Sequence, residues 1–176
     1  MDRPSSLTLF KMDAARWIRP QEIADLAEVT PRAVARALYT HRSLRAMALL
    51  RLGSWLKSRR IPGAHGFVQR LIFRRFGLEI SPGADIGGGL YIAHPSGTTI
   101  VAERIGVDVT VIHAVTVGMR NTARWPRIGD RVFIGAGARV LGDIDIGDDA
   151  RIGANAVVVD DVAAGATVVG IPARQR

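Results

Sequence analysis

From Ile128 onward a branched apolar residue returns every sixth position: Ile128, Ile134, Val140, Ile146, Ile152 and Val158, with glycine, alanine and aspartate between them. The series extends backwards through Ile80, Ile86, Ile92, Thr99, Ile105, Val111 and Val117. One extra residue falls between Ile92 and Thr99, and five between Val117 and Ile128. A register change near Asp160 leads on to Val162 and Val168. A period of six is neither the 3.6 of a helix nor the 2 of a plain strand. It suits a strand of a few residues followed by a tight turn. Three such units close a triangular coil, and coils stack at the parallel-strand spacing of about 4.8 Å. The branched residue points into the shaft and small residues fit the corners. The pattern predicts a solenoid in which each coil is stabilised by its neighbours.

The first 76 residues follow another rule. A short helix is predicted around Lys11 to Ile18, and Pro20 marks a boundary. Gln21 to Val29 reads as one short helix, and Thr30-Pro31 supplies a capping hydroxyl and a first-turn proline for the next. The run that follows has helix formers and a broad apolar face, with Leu38, Met47, Leu49, Leu52 and Leu56 as its members and His41-Arg42-Ser43 as a break. Pro62-Gly63 ends it, and "HGFVQRLIFRRFG" forms a further amphipathic helix before Gly77. The chain thus divides into a basic helical region, 1–76, and a solenoid, 77–176. "EIADLAEVTPRAVARAL" superficially resembles a helix-turn-helix, but its turn is poorly specified and no nucleic-acid partner is expected.

Charge sharpens this division. The net +8 comes from residues 1–76, with 15 Lys/Arg against 5 Asp/Glu; residues 77–176 carry 9 against 11. The basic part can meet an anionic surface or be a solvated helical face. Trp17, Trp55, Phe67 and Phe73 on those helices make peripheral membrane contact one reading, and packing against the solenoid the other. The chain has no cysteine, which excludes disulfides, thiolate metal sites and cysteine nucleophiles. It holds neither a 20-residue apolar span nor a signal-peptide core, so a cytoplasmic setting is expected, with the inner membrane face as a variant.

The same phase places the polar residues. His94 lies two residues after Ile92 and His113 two after Val111, at equivalent outward positions of adjacent coils. Glu79, just before Ile80, falls at the corner His94 approaches and is expected beside it. A neutral imidazole can take a proton from a hydroxyl attacking an acyl carbon, and a carboxylate can orient it. Backbone N–H groups near Gly118 can meet the developing oxyanion. His94, His113 and Glu79 also count as zinc donors, but no metal is expected. His41 and His65 read as packing or surface histidines. Asp143, Asp145, Asp148 and Asp149 read as exposed corner residues without calcium-loop spacing.

"GLEISPGADIGGGLYIAH", "DVTVIHAVTVG" and the run from Pro126 to Arg174 resemble hexapeptide-repeat acyltransferases, specifically the serine acetyltransferase family and its sugar- and exopolysaccharide-acetylating relatives. The resemblance covers residues 77–174. It implies a mainly β fold, a left-handed parallel β-helix with an α-helical N-terminal region; the hand comes from the family, since chirality rules favour right-handed crossovers. It implies acetyl-CoA as co-substrate, a homotrimer with the site between protomers, and a dimer of trimers as a further arrangement through the helices. It puts the general base on His94, its acidic partner on Glu79, and acetyl-CoA contacts on Gly118, Gly135, Ala136, Gly153, Ala154 and the closing motif at Arg174.

Ala93-His94 stands where serine acetyltransferases have Asp-His, Arg124-Trp125-Pro126 where they have Arg-His-Pro, and their helical region is longer. "VIHAVTVGMRN", with His113, resembles the colanic-acid branch instead. The 119–127 insertion leaves the coil at a corner, where loops shape substrate sites. Trp125 there stacks a sugar on one reading and anchors the loop or a trimer contact on the other. Arg120, Asn121 and Arg124 contact the acceptor or acetyl-CoA phosphates on one reading and are solvated on the other. The expectation is an acetyl-CoA-dependent O-acetyltransferase acting directly on a sugar or exopolysaccharide hydroxyl. Serine O-acetyltransferase and a non-catalytic scaffold are the alternatives.

Overall fold

The computed structural model describes residues 4–18, 26, 29–81, 84–121 and 123–176. Four α-helices precede the solenoid: α1 (Ser6–Ile18), α2 (Pro31–Thr40), α3 (Arg42–Ser58) and α4 (Ala64–Phe76). α1 begins five residues before the position expected, because the Ser5 hydroxyl accepts the Thr8 N–H at 3.1 Å and caps an earlier turn. The Thr30 hydroxyl accepts the Ala33 N–H at 3.2 Å, as its cap role requires, and His41 is extended, which separates α2 from α3. The helix expected over Gln21 to Val29, and with it most of the first half of the helix-turn-helix resemblance, lies largely outside the described residues.

The buried face of α3 differs from the one expected. Leu44, Met47 and Leu50 are fully buried with Ser43, Arg51 and Gly53, whereas Leu52 faces water and Leu49 and Leu56 are half-buried. The cause is Arg51. Its guanidinium grips Asp13 of α1 at 2.7 and 2.9 Å and donates to the carbonyls of Ile86 (2.9 Å) and Gly87 in the first coil. Asp13 also accepts the Leu90 N–H at 3.0 Å. Two helices and one coil therefore meet at a single buried ion pair. Met12 of α1 lies against Gly88, where any side chain on residue 88 would collide with it.

The coils follow in order. The first holds β1 (Leu78–Ile80), β2 (Asp85–Ile86) and β3 (Tyr91–His94); the second β4 (Thr98–Ile100), β5 (Arg104–Ile105) and β6 (Thr110–His113). The third holds β7 (Thr116–Gly118), β8 (Arg127–Ile128) and β9 (Phe133–Ile134); the fourth β10 (Arg139–Leu141), β11 (Asp145–Ile146) and β12 (Arg151–Ile152). The fifth holds β13 (Val157–Val158), a bridge from Val162 to Ile146, and β14 (Thr167–Val169), onto which β15 (Arg174–Gln175) folds back antiparallel. The three faces are the parallel sheets β1-β4-β7-β10-β13, β2-β5-β8-β11 and β3-β6-β9-β12-β14. The fold is the expected mainly β, left-handed parallel β-helix with an α-helical N-terminal region.

Most six-residue units bury two side chains rather than one, as in Val132 with Ile134, Ala138 with Val140 and Ala150 with Ile152, while those of Ile86 and Ile105 bury one. Burying each large member contributes at most about 1.5–3 kcal/mol. The one phase error is Thr99. Its neighbours Thr98 and Ile100 point inward, and Ile80 pairs with Ile100. The Pro95–Gly97 turn takes up the slack, so the hydrocarbon of Ile100 enters the shaft and the Thr99 hydroxyl stays outside.

Candidate active site

His94 and His113 end β3 and β6 and are register partners in the ladder. Their rings meet edge to face with centroids 5.9 Å apart, and both residues are exposed. Two residues on from the inward side chains of the next coils stand Ala136 and Ala154, half-buried and exposed. This column on one face therefore reads histidine, histidine, alanine, alanine: two imidazoles below a shelf of methyl groups. Gly137 N–H donates to the His113 carbonyl at 2.7 Å and Asn155 N–H to the Ala136 carbonyl at 2.8 Å, which locks the shelf to the histidines.

Three residues that periodicity did not single out fix the imidazoles. The Ser43 hydroxyl of α3 donates to the Ala93 carbonyl at 3.0 Å, directly before His94. The Thr98 hydroxyl reaches the His94 carbonyl at 3.4 Å. Arg139 donates to the Ala114 carbonyl at 2.7 Å, directly after His113, and holds Ala114 in the left-handed region at φ 51°. Arg139 was findable as the outward residue before Val140; Ser43 carries no signal in the sequence pattern.

Glu79 is not joined to His94 by a hydrogen bond or ion pair within the protomer. Phase counting brought both to one corner, and the corner is real: Gly97 N–H donates to the Gly77 carbonyl at 3.0 Å, two residues before Glu79. The Glu79 side chain, however, points out from β1 and accepts from the Thr99 hydroxyl one coil along, at 3.4 Å. It borders a cleft of about 640 Å³ whose other wall is Gln69, Arg70, Phe73 and Arg74 of α4.

The remaining candidates are spread along the coils. Gly118 closes β7 with open space where a Cβ would lie, and its carbonyl accepts the Gly142 N–H at 2.9 Å. Gly135 is buried, and a Cβ there would come within 2.6 Å of the Ala154 nitrogen; at Gly153 it would press on Val169. These two glycines serve coil stacking in the protomer. Arg174, on β15, pairs with Asp160 at 3.2 Å. Arg120 and Asn121 are exposed and Trp125 is half-buried beside buried Pro126. Arg124 pairs with Asp143 at 3.3 Å.

Asp143 and Asp145 converge with Glu103 on Arg127, and Asp149 binds Arg131 through two oxygens at 2.7 and 2.8 Å. Hydrogen bonds from those arginines hold all three aspartates below the usual carboxylate range. Asp148 accepts the Asp130 N–H at 2.8 Å. The acidic corners are thus a ladder between coils. No group of three His, Cys, Asp or Glu among the described residues is placed to hold a metal ion. His41 packs on Trp17, with ring centroids 4.8 Å apart, and His65 is exposed.

The family model for bacterial transferase hexapeptide (six repeats) matches residues 126–160. The chain is 43% identical over 141 residues to the serine acetyltransferase of Helicobacter pylori (strain J99), an alignment covering 78% of this chain and 82% of that protein. It spans only 35–46% of the length of several other curated relatives. The fold superposes on the Neisseria gonorrhoeae serine acetyltransferase in complex with serine with a TM-score of 0.80 at 32% identity, over 97% of this chain and 69% of that one. It superposes on a serine acetyltransferase in complex with CoA with a TM-score of 0.79 at 32% identity, over 99% and 71%.

These relatives overturn the expected affinity with colanic-acid and exopolysaccharide acetyltransferases, and with it the sugar or glycan acceptor. That expectation rested on Ala93, Trp125, the segment around His113 and the short helical region. The match to serine acetyltransferases runs through helices and coils alike. No helix among the described residues is long and apolar enough to cross a membrane.

Proposed function

We propose, because this chain belongs to the serine acetyltransferase family, that it transfers an acetyl group from acetyl-CoA to the hydroxyl of L-serine. The observation that carries the reading is the outward column of His94, His113, Ala136 and Ala154. Two imidazoles sit at the foot of an uncharged shelf along which the thioester arm of the donor lies. His94 takes the proton of the serine hydroxyl as that oxygen bonds to the acetyl carbon. It returns the proton to the sulfur as the carbon–sulfur bond breaks, leaving O-acetylserine and CoA. No acyl-enzyme is needed, in keeping with a chain that lacks cysteine.

His113 supports the neighbouring ring and borders the acceptor. Glu79, free of both imidazoles in the protomer, offers its carboxylate to the ammonium group of the acceptor. The N–H groups around Gly118 face the developing oxyanion. Gly135, Ala136, Gly153 and Ala154 shape the acetyl-CoA shelf, with Arg174 at its far end. Arg120, Asn121, Arg124 and Trp125 edge the acceptor side. A homotrimer, with each site shared between protomers, and a cytoplasmic setting belong to the same proposal.

Thiol release from acetyl-CoA, followed colorimetrically with L-serine, threonine or glucose as acceptor, tests this. Release that depends on serine, with O-acetylserine in the mass spectrum, is expected. Donor cleavage with a sugar but not with serine would refute the acceptor, and no cleavage with any acceptor by a folded protein would favour a scaffold.

A further inference from the structure

β3 is the end strand of its sheet, so one of its edges has no strand beside it. Helix side chains reach that end of the solenoid instead. Asp13 of α1 accepts the Leu90 N–H at 3.0 Å, Arg16 of α1 donates to the Gly89 carbonyl at 3.3 Å, and Ser43 of α3 donates to the Ala93 carbonyl at 3.0 Å. His113 is placed differently. Its strand β6 lies between β3 and β9, and its carbonyl accepts the Gly137 N–H at 2.7 Å. His113 thus has coils on both sides, whereas His94 has a coil on one side and the helical region on the other.

The Ser43 contact differs from the others in what it controls. The Ala93 carbonyl belongs to the peptide whose nitrogen is that of His94. A peptide is planar, so holding its oxygen sets the direction in which the His94 backbone begins. The Thr98 hydroxyl reaches the His94 carbonyl at 3.4 Å, so the residue is held before and after its Cα. Ser43 is 5% exposed and Thr98 1%, which keeps water from competing for either bond. The His94 imidazole itself is exposed and meets the His113 ring edge to face. Packing therefore leaves the ring a freedom that the backbone has to remove. Ser43 is itself anchored, because Arg51 further along α3 binds Asp13 at 2.7 Å and the Ile86 carbonyl at 2.9 Å.

We propose that Ser43 is a positioning residue for the reaction: its buried hydroxyl sets the pose of His94 and so makes the helical region part of the catalytic device. The proposal rests on His94 being the base. A base works only within hydrogen-bond reach of the proton it takes, and a misplacement of about 1 Å costs on the order of 10²-fold. Ser43→Ala frees the Ala93 carbonyl and lets the ring drift over part of that distance, so the rate falls while the substrates still bind.

The test is steady-state thiol release from acetyl-CoA by the intact protein with L-serine, well below the melting temperature of every variant. Ser43→Ala should lower kcat about tenfold with both KM values nearly unchanged, and Ser43→Thr, which keeps the hydroxyl, should restore most of it. Arg16→Met removes a different helix contact at the same end of the solenoid. It should lower the melting temperature and leave kcat within about twofold of the parent. In a His94→Ala background Ser43→Ala should add nothing, since no imidazole is left to place. The His94 ring signal in carbon–proton NMR spectra needs no turnover, and it should move in Ser43→Ala but not in Arg16→Met. An inactive His94→Ala beside a fully active Ser43→Ala overturns the proposal alone, and an active His94→Ala overturns the base together with it. Equal kcat losses in Ser43→Ala and Arg16→Met would make Ser43 a structural contact only and overturn it. So would a further loss in the His94→Ala background. A parent inactive with serine refutes the acceptor, and the ring signal then decides on Ser43: an unmoved signal overturns its role.

Discussion

His94 and His113 stand edge to face on consecutive coils, 5.9 Å between ring centroids, and each is pinned by hydrogen bonds to the carbonyl of a residue beside it in the chain. The two rings are not equivalent. His94 ends the first coil, whose corner Gly97 N–H joins to the Gly77 carbonyl two residues before Glu79, whereas His113 ends the second coil and its carbonyl accepts the Gly137 N–H.

This difference separates their roles in kinetics. Replacing His94 by alanine removes the proposed base and should lower kcat by about 10²–10⁴, with the KM for acetyl-CoA nearly unchanged. Replacing His113 by alanine should cost about tenfold and act mainly on the KM for serine. Steady-state thiol release gives both numbers. A larger kcat loss at His113 than at His94 would reverse the assignment.

The shaft was legible because burial repeats: one branched residue at a fixed interval needs only one kind of environment at that interval. The reading slipped at Thr99, where a turn gained residues and a hydroxyl replaced the hydrocarbon that marks the phase. It also missed that Ser43, Arg51 and Gly53 line the buried side of α3. That side is chosen by a partner 38 residues away, Asp13, and no local period encodes such a contact. Counting also fixes where a backbone position lies but not where its side chain turns, so Glu79 came to the right corner and bonded to Thr99. The acceptor was misjudged for a related reason. The acceptor was read from local departures, Ala93, Trp125, the short helical region and the segment around His113, and these were set above a scaffold that matches serine acetyltransferases throughout.

The Asp13–Arg51 pair gives a stability prediction. Both groups are buried, and burial pushes the Asp13 carboxyl above its ordinary value against the opposing pull of Arg51. Asp13→Asn strands a buried guanidinium and should cost about 3–5 kcal/mol, measured by urea unfolding. Combined with Arg51→Met it should cost clearly less than the two single changes added together. Additive losses would show that the two charges do not act as a pair.

Coil stacking and site shape can be separated with two glycines. Alanine at Gly135 places a methyl against the backbone of Ala154 and should destabilise by about 1–3 kcal/mol. Alanine at Gly118 meets nothing within 4 Å and should change stability by less than about 0.5 kcal/mol. Turnover should nevertheless fall in Gly118→Ala if a methyl intrudes where the thioester carbonyl sits. Thermal melts and thiol release on the same two proteins check this, and a fully active Gly118→Ala variant would remove that residue from the site.

The corner ladder ties stability to acid. Asp143, Asp145 and Asp149 are held below the ordinary carboxylate value of 3.8, chiefly by hydrogen bonds from Arg127 and Arg131. An unfolded chain therefore binds protons at these sites before the folded one does. Their contribution is present in full well above pH 3.8 and disappears as the pH falls below it through the folded values. Arg127→Gln removes the partner of Asp143 and Asp145 but leaves the shaft intact. Its melting temperature should lie below that of the parent at pH 6, and the gap should narrow steadily as both are titrated towards pH 2.5. Because the pairs are exposed, the gap should also shrink in about 0.5 M salt. A gap that stays constant across the titration would mean that Arg127 stabilises the corner by packing alone.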